Sequence, residues 1–444
     1  MAAEAGIPLG SPSTAPGNPV SGGSIRILAL EPKSFDFHQF VSYRNQTTGS
    51  GWREPLFTFP YGPEFGATNF GPLPRLVESW SLEDGGKTVD IVLKKGVMYQ
   101  NKGPIQGLEM TAEDVKFSLD RSLELSSTGK SQLKSITSVE VVEPYKVRIN
   151  QAASFGPLFV NLGQQYNAIF PEKSIDEFGD LVSFESAVGT GPWTPTEYSP
   201  GSFMKLERHA DYWNEGLPYI DVVEEVFISD YPAADAAFRS GQLDITAIDT
   251  DCMSGERYQA IKDNAPDAVP TIFPDTANAR ALTVRNDKPP FDNASVRQAV
   301  SLGIDRQGWI DSVLGGFGIN QAFINPGHGK WWRDFDQLGD KAKWFKFDPA
   351  EGKRILAEEG VEEGLKVVLD GTSGYGPRIE SELQLMGESL RKNLGFDVQL
   401  NITEYSSNFL PNVWGKGDYE DSLRLPGRWS RRQRLAHICL PFRD

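Results

Sequence analysis

The residues best able to do chemistry are spread thinly along this chain. Its acidic pairs, Glu83/Asp84, Glu113/Asp114 and Glu358/Glu359, are neighbours in sequence. Nothing in their spacing sets two carboxylates across a cleft, as glycoside hydrolysis requires. The histidines His38, His209, His328 and His437 are scattered, and Cys252 and Cys439 form no Cys-x-x-Cys pair. That pattern supplies neither a zinc site nor a disulfide framework. There is no Gly-x-Ser-x-Gly elbow and no Walker loop. Gly315-Gly-Phe-Gly318 follows a predicted helix instead of opening one, which makes it a poor phosphate cradle. The expectation is a protein that is not an enzyme, with no catalytic residues, metal or cofactor.

The elements that would position any site read clearly along most of the chain. Residues 1–23 are rich in Ala, Gly, Ser and Pro and are expected to be a flexible leader. Ser24-Ile-Arg-Ile-Leu-Ala-Leu30 then reads as a buried strand. Lys87 to Lys94 alternates with period two, a half-buried strand after the turn Asp84-Gly-Gly86. Thr111-Ala-Glu-Asp114 reads as a capping box opening a helix over 115–123. A strand pair at 136–142 and 145–149 is split by Glu143-Pro144. Tyr231 to Ser240 reads as a helix ending at Gly241, and helices are expected over 295–304 and 307–314. Asp348-Pro-Ala-Glu starts another that stops at Gly360, with Asp as cap and Pro in the first turn. Strand 365–369, helix 379–394 and strand 398–402 then give a β-α-β order and a second α/β lobe.

Length and charge narrow the function classes. At 444 residues the chain has room for several domains, and its formal charge of −16 argues against nucleic acid as a partner. No apolar run approaches a membrane span. The start, Met1-Ala-Ala-Glu-Ala-Gly, has neither a basic nor an apolar signal region. Residues 421–444 stand apart, with six arginines against two aspartates. Ser430-Arg-Arg-Gln-Arg434 and the residues after it show no stripe that fits the preceding domain. They read as an anomalous tail, either a basic interaction segment or the product of a shifted reading frame.

A set of short blocks carries a family resemblance. In order they are Phe35-Asp-Phe-His38, Glu54-Pro-Leu-Phe57, Pro74 to Trp80, Leu93 to Val97, Thr111 to Ser118, Gly189-Thr-Gly-Pro-Trp193, Leu206 to Trp213, Ala237 to Ile245, Pro289-Pro-Phe-Asp292, Gly303 to Arg306 and Lys416-Gly-Asp-Tyr419. Together they resemble the extracellular solute-binding protein family 5, the peptide/nickel-type substrate-binding proteins of ABC transporters. The likeness runs from about residue 22 to Tyr419 and looks truncated at the C-terminus.

The resemblance implies a two-lobed, periplasmic-binding-protein-like (type II) α/β fold. Residues 24–55 and 185–275 would form the first lobe, and 56–184 an inserted α+β subdomain. Residues 276–420 would form an incomplete second lobe. It implies capture of peptides or related small polar solutes by hinge closure and delivery to a membrane permease. It implies a monomer outside the cytoplasm, in the periplasm or anchored at the cell surface. Several blocks have a structural reading of their own: Gly189 to Pro192 as a tight link, and Asp211-Tyr-Trp213 and Phe238 to Gly241 as packing of the hinge domain.

Site residues follow from the same resemblance. One wall falls on the loop Tyr43 to Trp52, the crossing near Thr276 to Arg280, and the far wall on Gly315 to Phe317, Trp331/Trp332 and Gly374-Tyr-Gly376. Arg44 and Arg280 suit a ligand carboxylate, or pairing with Asp and Glu. Asn45 and Asn278 suit a ligand amide, or turn capping. Trp52, Phe317 and Tyr375 offer aromatic faces to a ligand, or to their neighbours. The scattered histidines disfavour direct nickel coordination. Rival readings are a non-functional frameshifted fragment and a ligand-sensing regulator on the same fold, which would need a DNA-binding helix-turn-helix that neither end offers.

Overall fold

The computed structural model describes residues 19–39, 43–59, 72–246, 255–268, 280–316, 318, 320, 324, 332–372, 374, 377–414, 416–426 and 436–440. These fall into two compact units, one within 15–61 and 70–251, the other within 252–444.

The first unit holds two four-stranded sheets. β1 (Ser24–Ala29) begins where the Gly- and Pro-rich leader ends. α1 (Tyr43–Gly49) and the hairpin β2 (Phe57–Thr58) with β3 (Leu73–Pro74) follow. β4 (Val77–Glu83) and β5 (Thr88–Leu93) turn through Asp84-Gly-Gly86, where Gly85 and Gly86 both take positive φ. Helices α2 (Ala112–Leu125) and α3 (Ser127–Gln132) precede β6 (Ile136–Glu143) and β7 (Lys146–Gln151). These strands give the antiparallel order β4-β5-β7-β6. Alternation along β5 puts Val89, Ile91 and Leu93 in a core shared with Val115 and Leu119 of α2. α2 starts as the Thr-x-x-Asp pattern predicts, with the Thr111 amide donating to Asp114 Oδ2 at 2.8 Å.

Short helices α4 (Leu158–Leu162) and α5 (Lys173–Phe178) lead back to the other sheet. It consists of β8 (Trp193–Ser199), β9 (Phe203–Arg208) and β10 (Val222–Phe227), ordered β1-β10-β9-β8 with β1 parallel to β10. β9 turns Met204 and Leu206 inward onto Phe35, Phe37 and Trp52. α6 (Tyr231–Arg239) is capped by Asp230, which accepts from the Ala233 amide, and Gly241 beyond it has φ +72°.

The second unit is built around a five-stranded mixed sheet. Helix α7 (Gly255–Asn264) precedes β11 (Arg280–Val284), α8 (Ala294–Leu302) and α9 (Arg306–Leu314). α10 (Pro349–Glu358) has the expected Asp348 cap, accepting from the Glu351 amide at 3.0 Å, and Gly360 with φ +76°. β12 (Lys366–Thr372), α11 (Pro377–Leu394) and β13 (Asp397–Thr403) form a parallel β-α-β unit. Leu282, Val300, Leu369, Leu383 and Leu394 lie in one core beneath the helices.

Two placements differ from the sequence reading. The stretch expected as a loop from Tyr43 holds helix α1, although its Thr and Gly residues are weak helix formers. Tertiary bonds hold it: Thr48 Oγ1 donates to the Leu30 carbonyl, and Asn45 Oδ1 accepts from the Lys33 amide. The stretch expected as a patternless tail contributes β14 (Ser422–Pro426) and β15 (Ala436–Leu440), in the order β13-β12-β14-β11-β15. Ser-Leu-Arg-Leu-Pro does alternate with period two, a signal hidden by the arginine-rich composition around it. Among the described residues no helix is long and apolar enough to cross a membrane.

Candidate functional site

The first unit is organised around one buried carboxylate, Glu54. It has no exposed surface, yet four donors reach it from three separate stretches of chain. Arg75 Nε lies 2.5 Å and Tyr212 Oη 2.8 Å from Oε1. Thr190 Oγ1 lies 3.0 Å and Trp213 Nε1 2.8 Å from Oε2. A buried carboxylate is tolerated when its lone pairs are satisfied and a cation faces it, and both conditions hold here. Burial draws the Arg75 guanidinium down, but the Glu54 charge outweighs it and holds Arg75 above its ordinary value. Burial and the same carboxylate push the Tyr212 phenol up. Tyr212 and Trp213 thus pack and bond the unit together, as the structural reading of that block anticipates.

Gln100 is a second tie. Its Nε2 lies within 3.0 Å of the carbonyl oxygens of Trp52, Gly191 and Trp193. Its Oε1 accepts from the Gly189 amide at 3.0 Å. The link needs glycine because backbone passes backbone: a Cβ on Gly191 would sit 2.5 Å from the Trp52 carbonyl carbon. His209 joins the same link, its Nδ1 3.2 Å from the Gly191 carbonyl, and burial lowers its pKa.

A third cluster lies beneath α1. Asp36 takes both Nη atoms of Arg121, at 2.7 and 2.5 Å, and accepts from the amides of His38 and Gln39. Burial alone would raise the Asp36 carboxyl, but Arg121 brings it below the ordinary value. His38 is wholly buried, with Nε2 3.1 Å from the Ala168 carbonyl. Burial, then the Arg121 charge, lower its pKa to about 3, so the ring is neutral.

The residues expected to meet ligand divide between the two units. Asn45 lies on α1 and Trp52 just after it, both with 0% exposure. Asn45 Oδ1 is engaged by Lys33, and the Trp52 ring packs against Phe35 and Phe37 at 6.3 and 5.6 Å between centroids. Arg44 lies on α1 and Arg280 opens β11. Asn278, Phe317 and Tyr375 lie outside the described residues. In the second unit a cavity of about 450 Å³ opens beside the start of α9, lined by Arg306, Asn320, Phe335 and Phe345 among others. Among the described residues no group of three His, Cys, Asp or Glu side chains is placed to hold a metal ion.

Sequence reasoning missed Glu54, Gln100 and the Asp36–Arg121 pair as organising residues. For Glu54 the signal was present, a charge set directly before the apolar run Leu56-Phe57 inside a matched block. A charged residue there needs buried partners.

Comparison with known proteins places this framework in context. Residues 71–427 match the model of the bacterial extracellular solute-binding proteins, family 5, a match that continues past Tyr419. The glutathione-binding protein GsiB of Salmonella choleraesuis (strain SC-B67) is 24% identical over 352 residues, 79% of this chain and 64% of that protein. The oligopeptide-binding protein AppA of Bacillus subtilis (strain 168) is 28% identical over 75% of this chain and 61% of its own length. The chain therefore spans a little under two thirds of the length of these relatives. Among solved structures, the periplasmic binding protein DppA from Helicobacter pylori, in complex with the peptide STSA, superposes with a TM-score of 0.71 at 21% identity. That superposition covers 93% of this chain and 79% of DppA. Bacillus subtilis AppA with a nonapeptide gives 0.70 at 23% identity, over 92% and 80%. At such identities the likeness establishes a shared periplasmic-binding-protein fold.

Proposed function

The chain belongs to the bacterial extracellular solute-binding proteins, family 5, and from that premise we propose that it is the ligand-capturing component of an ABC importer. Its ligands are peptides or related small polar solutes. The observation that carries this reading is the family match over most of the chain. The relatives named as glutathione- and oligopeptide-binding support the ligand class. Capture proceeds by closure of two lobes, the ligand stabilising the closed form through contacts to both faces. The chain performs no bond chemistry and hands its ligand to a membrane permease outside the cytoplasm.

Within this reading Arg44 and Arg280 hold ligand carboxylates, and Asn278, Phe317 and Tyr375 supply an amide contact and aromatic faces. Asn45 and Trp52, being buried, support the wall that carries Arg44. Thermal unfolding with a panel of dipeptides to nonapeptides and glutathione tests the proposal. A binding member raises the midpoint with ligand concentration, by about 2.7 kcal/mol of stability at a hundredfold excess over Kd. Arg44→Gln and Arg280→Gln should each weaken binding about tenfold or more through loss of a charge-assisted fork. Variants that bind as tightly as the parent would remove these two arginines from the site.

A further inference from the structure

The cavity beside α9 is built from parts that the proposed function does not use. Its lining residues lie between Asp305 and Phe347, all within the second unit. At about 450 Å³ it falls within the ordinary range of small-molecule pockets, about 300–1,000 Å³. Its apolar lining is aromatic. The ring centroids of Phe335 and Phe345 are 5.5 Å apart with their planes at 33°, and Phe347 on the same lining is 47% exposed. Arg306, only 1% exposed, fixes the wall behind them. Its Nη1 donates to the Ser301 carbonyl at 2.8 Å and its Nη2 to Ser301 Oγ at 2.7 Å. Ser301 Oγ in turn donates to the carbonyl of Trp344, the neighbour of Phe345, at 2.6 Å. The Arg306 guanidinium carbon lies 5.7 Å from the Phe345 centroid. One network therefore joins the end of α8, the start of α9 and the 3₁₀ helix Gly339–Phe345, and holds the Phe345 ring in place. Two opposite charges complete the lining, Asp336 and Lys346. Both are exposed, and neither forms an ion pair or side-chain hydrogen bond among the described residues.

We propose that this cavity is a second binding site, one that takes a free aromatic amino acid. The ligand ring packs against Phe335 and Phe345, in the offset or edge-on contacts that aromatic pairs favour. Lys346 faces the carboxylate and Asp336 the ammonium. A lining that carries one unpaired charge of each sign suits a ligand carrying both on one carbon. An internal residue of a peptide carries neither, so the site selects the amino acid over the chain. The exposed charges set orientation and selectivity more than affinity, which the rings and the enclosed volume supply. Arg306 is occupied by Ser301 and acts as a positioning residue for the Phe345 wall. The site lies within one unit and does not depend on solute capture.

Isothermal titration calorimetry of the full chain with L-phenylalanine tests the site. The parent should give a saturable one-to-one isotherm, and L-alanine should give none. Lys346→Gln should weaken L-phenylalanine about threefold to fivefold and leave phenethylamine, which lacks the carboxylate, unchanged. Asp336→Asn should weaken it similarly and leave 3-phenylpropionate, which lacks the ammonium, unchanged. Ala342→Trp, which fills the cavity from its lining, should abolish binding. Should Ala342→Trp fail to fold, the two charge variants, both at exposed positions, decide. No saturable binding in the parent, L-alanine bound as well as L-phenylalanine, or equal affinity in the parent and both charge variants overturns the proposal. Arg44→Gln and Arg280→Gln separate this site from the proposed solute site. Undiminished binding of L-phenylalanine in both supports the cavity. A loss in either, with Lys346→Gln unaffected, assigns the amino acid to the solute site and overturns the cavity. Peptides and glutathione that fail to bind while L-phenylalanine binds leave the cavity standing without solute capture.

Discussion

Glu54 shows how far a single side chain can reach in this unit, because removing its charge leaves Arg75 facing an uncompensated gap. Glu54→Gln should lower stability by about 3 kcal/mol, read as a shift of the urea midpoint at constant slope. A change under half of that would mean the hydrogen bonds to Tyr212, Trp213 and Thr190 carry the framework without the charge. His38 makes a prediction about pH. Its folded pKa of about 3 lies below the ordinary value of 6.5, so the unfolded chain takes up the proton first. The stability it contributes is fully present above about 6.5 and is lost as pH falls toward 3. Denaturant unfolding at pH 7.5 and 4.5 should show a smaller loss on acidification for His38→Gln than for the parent. Equal losses in the two proteins would show that His38 does not set this dependence.

At the scale of elements, the link Gly189 to Trp193 ties the two sheets of the first unit, and its geometry leaves no space for a side chain at Gly191. Gly191→Ala should cost about 1–3 kcal/mol and lower the thermal midpoint by several degrees. An unchanged midpoint would mean that the Trp52 backbone shifts freely. Most elements were legible because local signals agreed with tertiary packing. The alternation of β5, the Thr111–Asp114 start of α2, and the Asp348 and Gly360 bounds of α10 each announce themselves in a few residues. α1 did not, since its sequence favours coil and tertiary contacts, those from Leu30 and Lys33 among them, fix it. β14 was obscured by its arginine-rich surroundings. The organising residues were less legible still. Glu54, Arg75, Thr190 and Tyr212 are far apart in sequence, and no local pattern shows that one carboxylate gathers them. Asn45 and Trp52 have types suited to ligand contact, and burial, which sequence alone does not disclose, gives them a supporting place.

At the scale of the molecule, two α/β units make up a chain that belongs to a family of solute-binding proteins. In the first unit the buried carboxylates Glu54 and Asp36 are paired with Arg75 and Arg121, and burial lowers the pKa of His38 and His209. On the proposed function the ligand is retained unaltered. The most direct measurement is equilibrium dialysis of the purified chain against a mixture of short peptides and glutathione. Mass spectrometry of what the protein retains then identifies any ligand. The account predicts enrichment of one chemical class, approaching one molecule per chain, recovered intact. Retention of nothing from the mixture, or recovery of cleaved products, would contradict it.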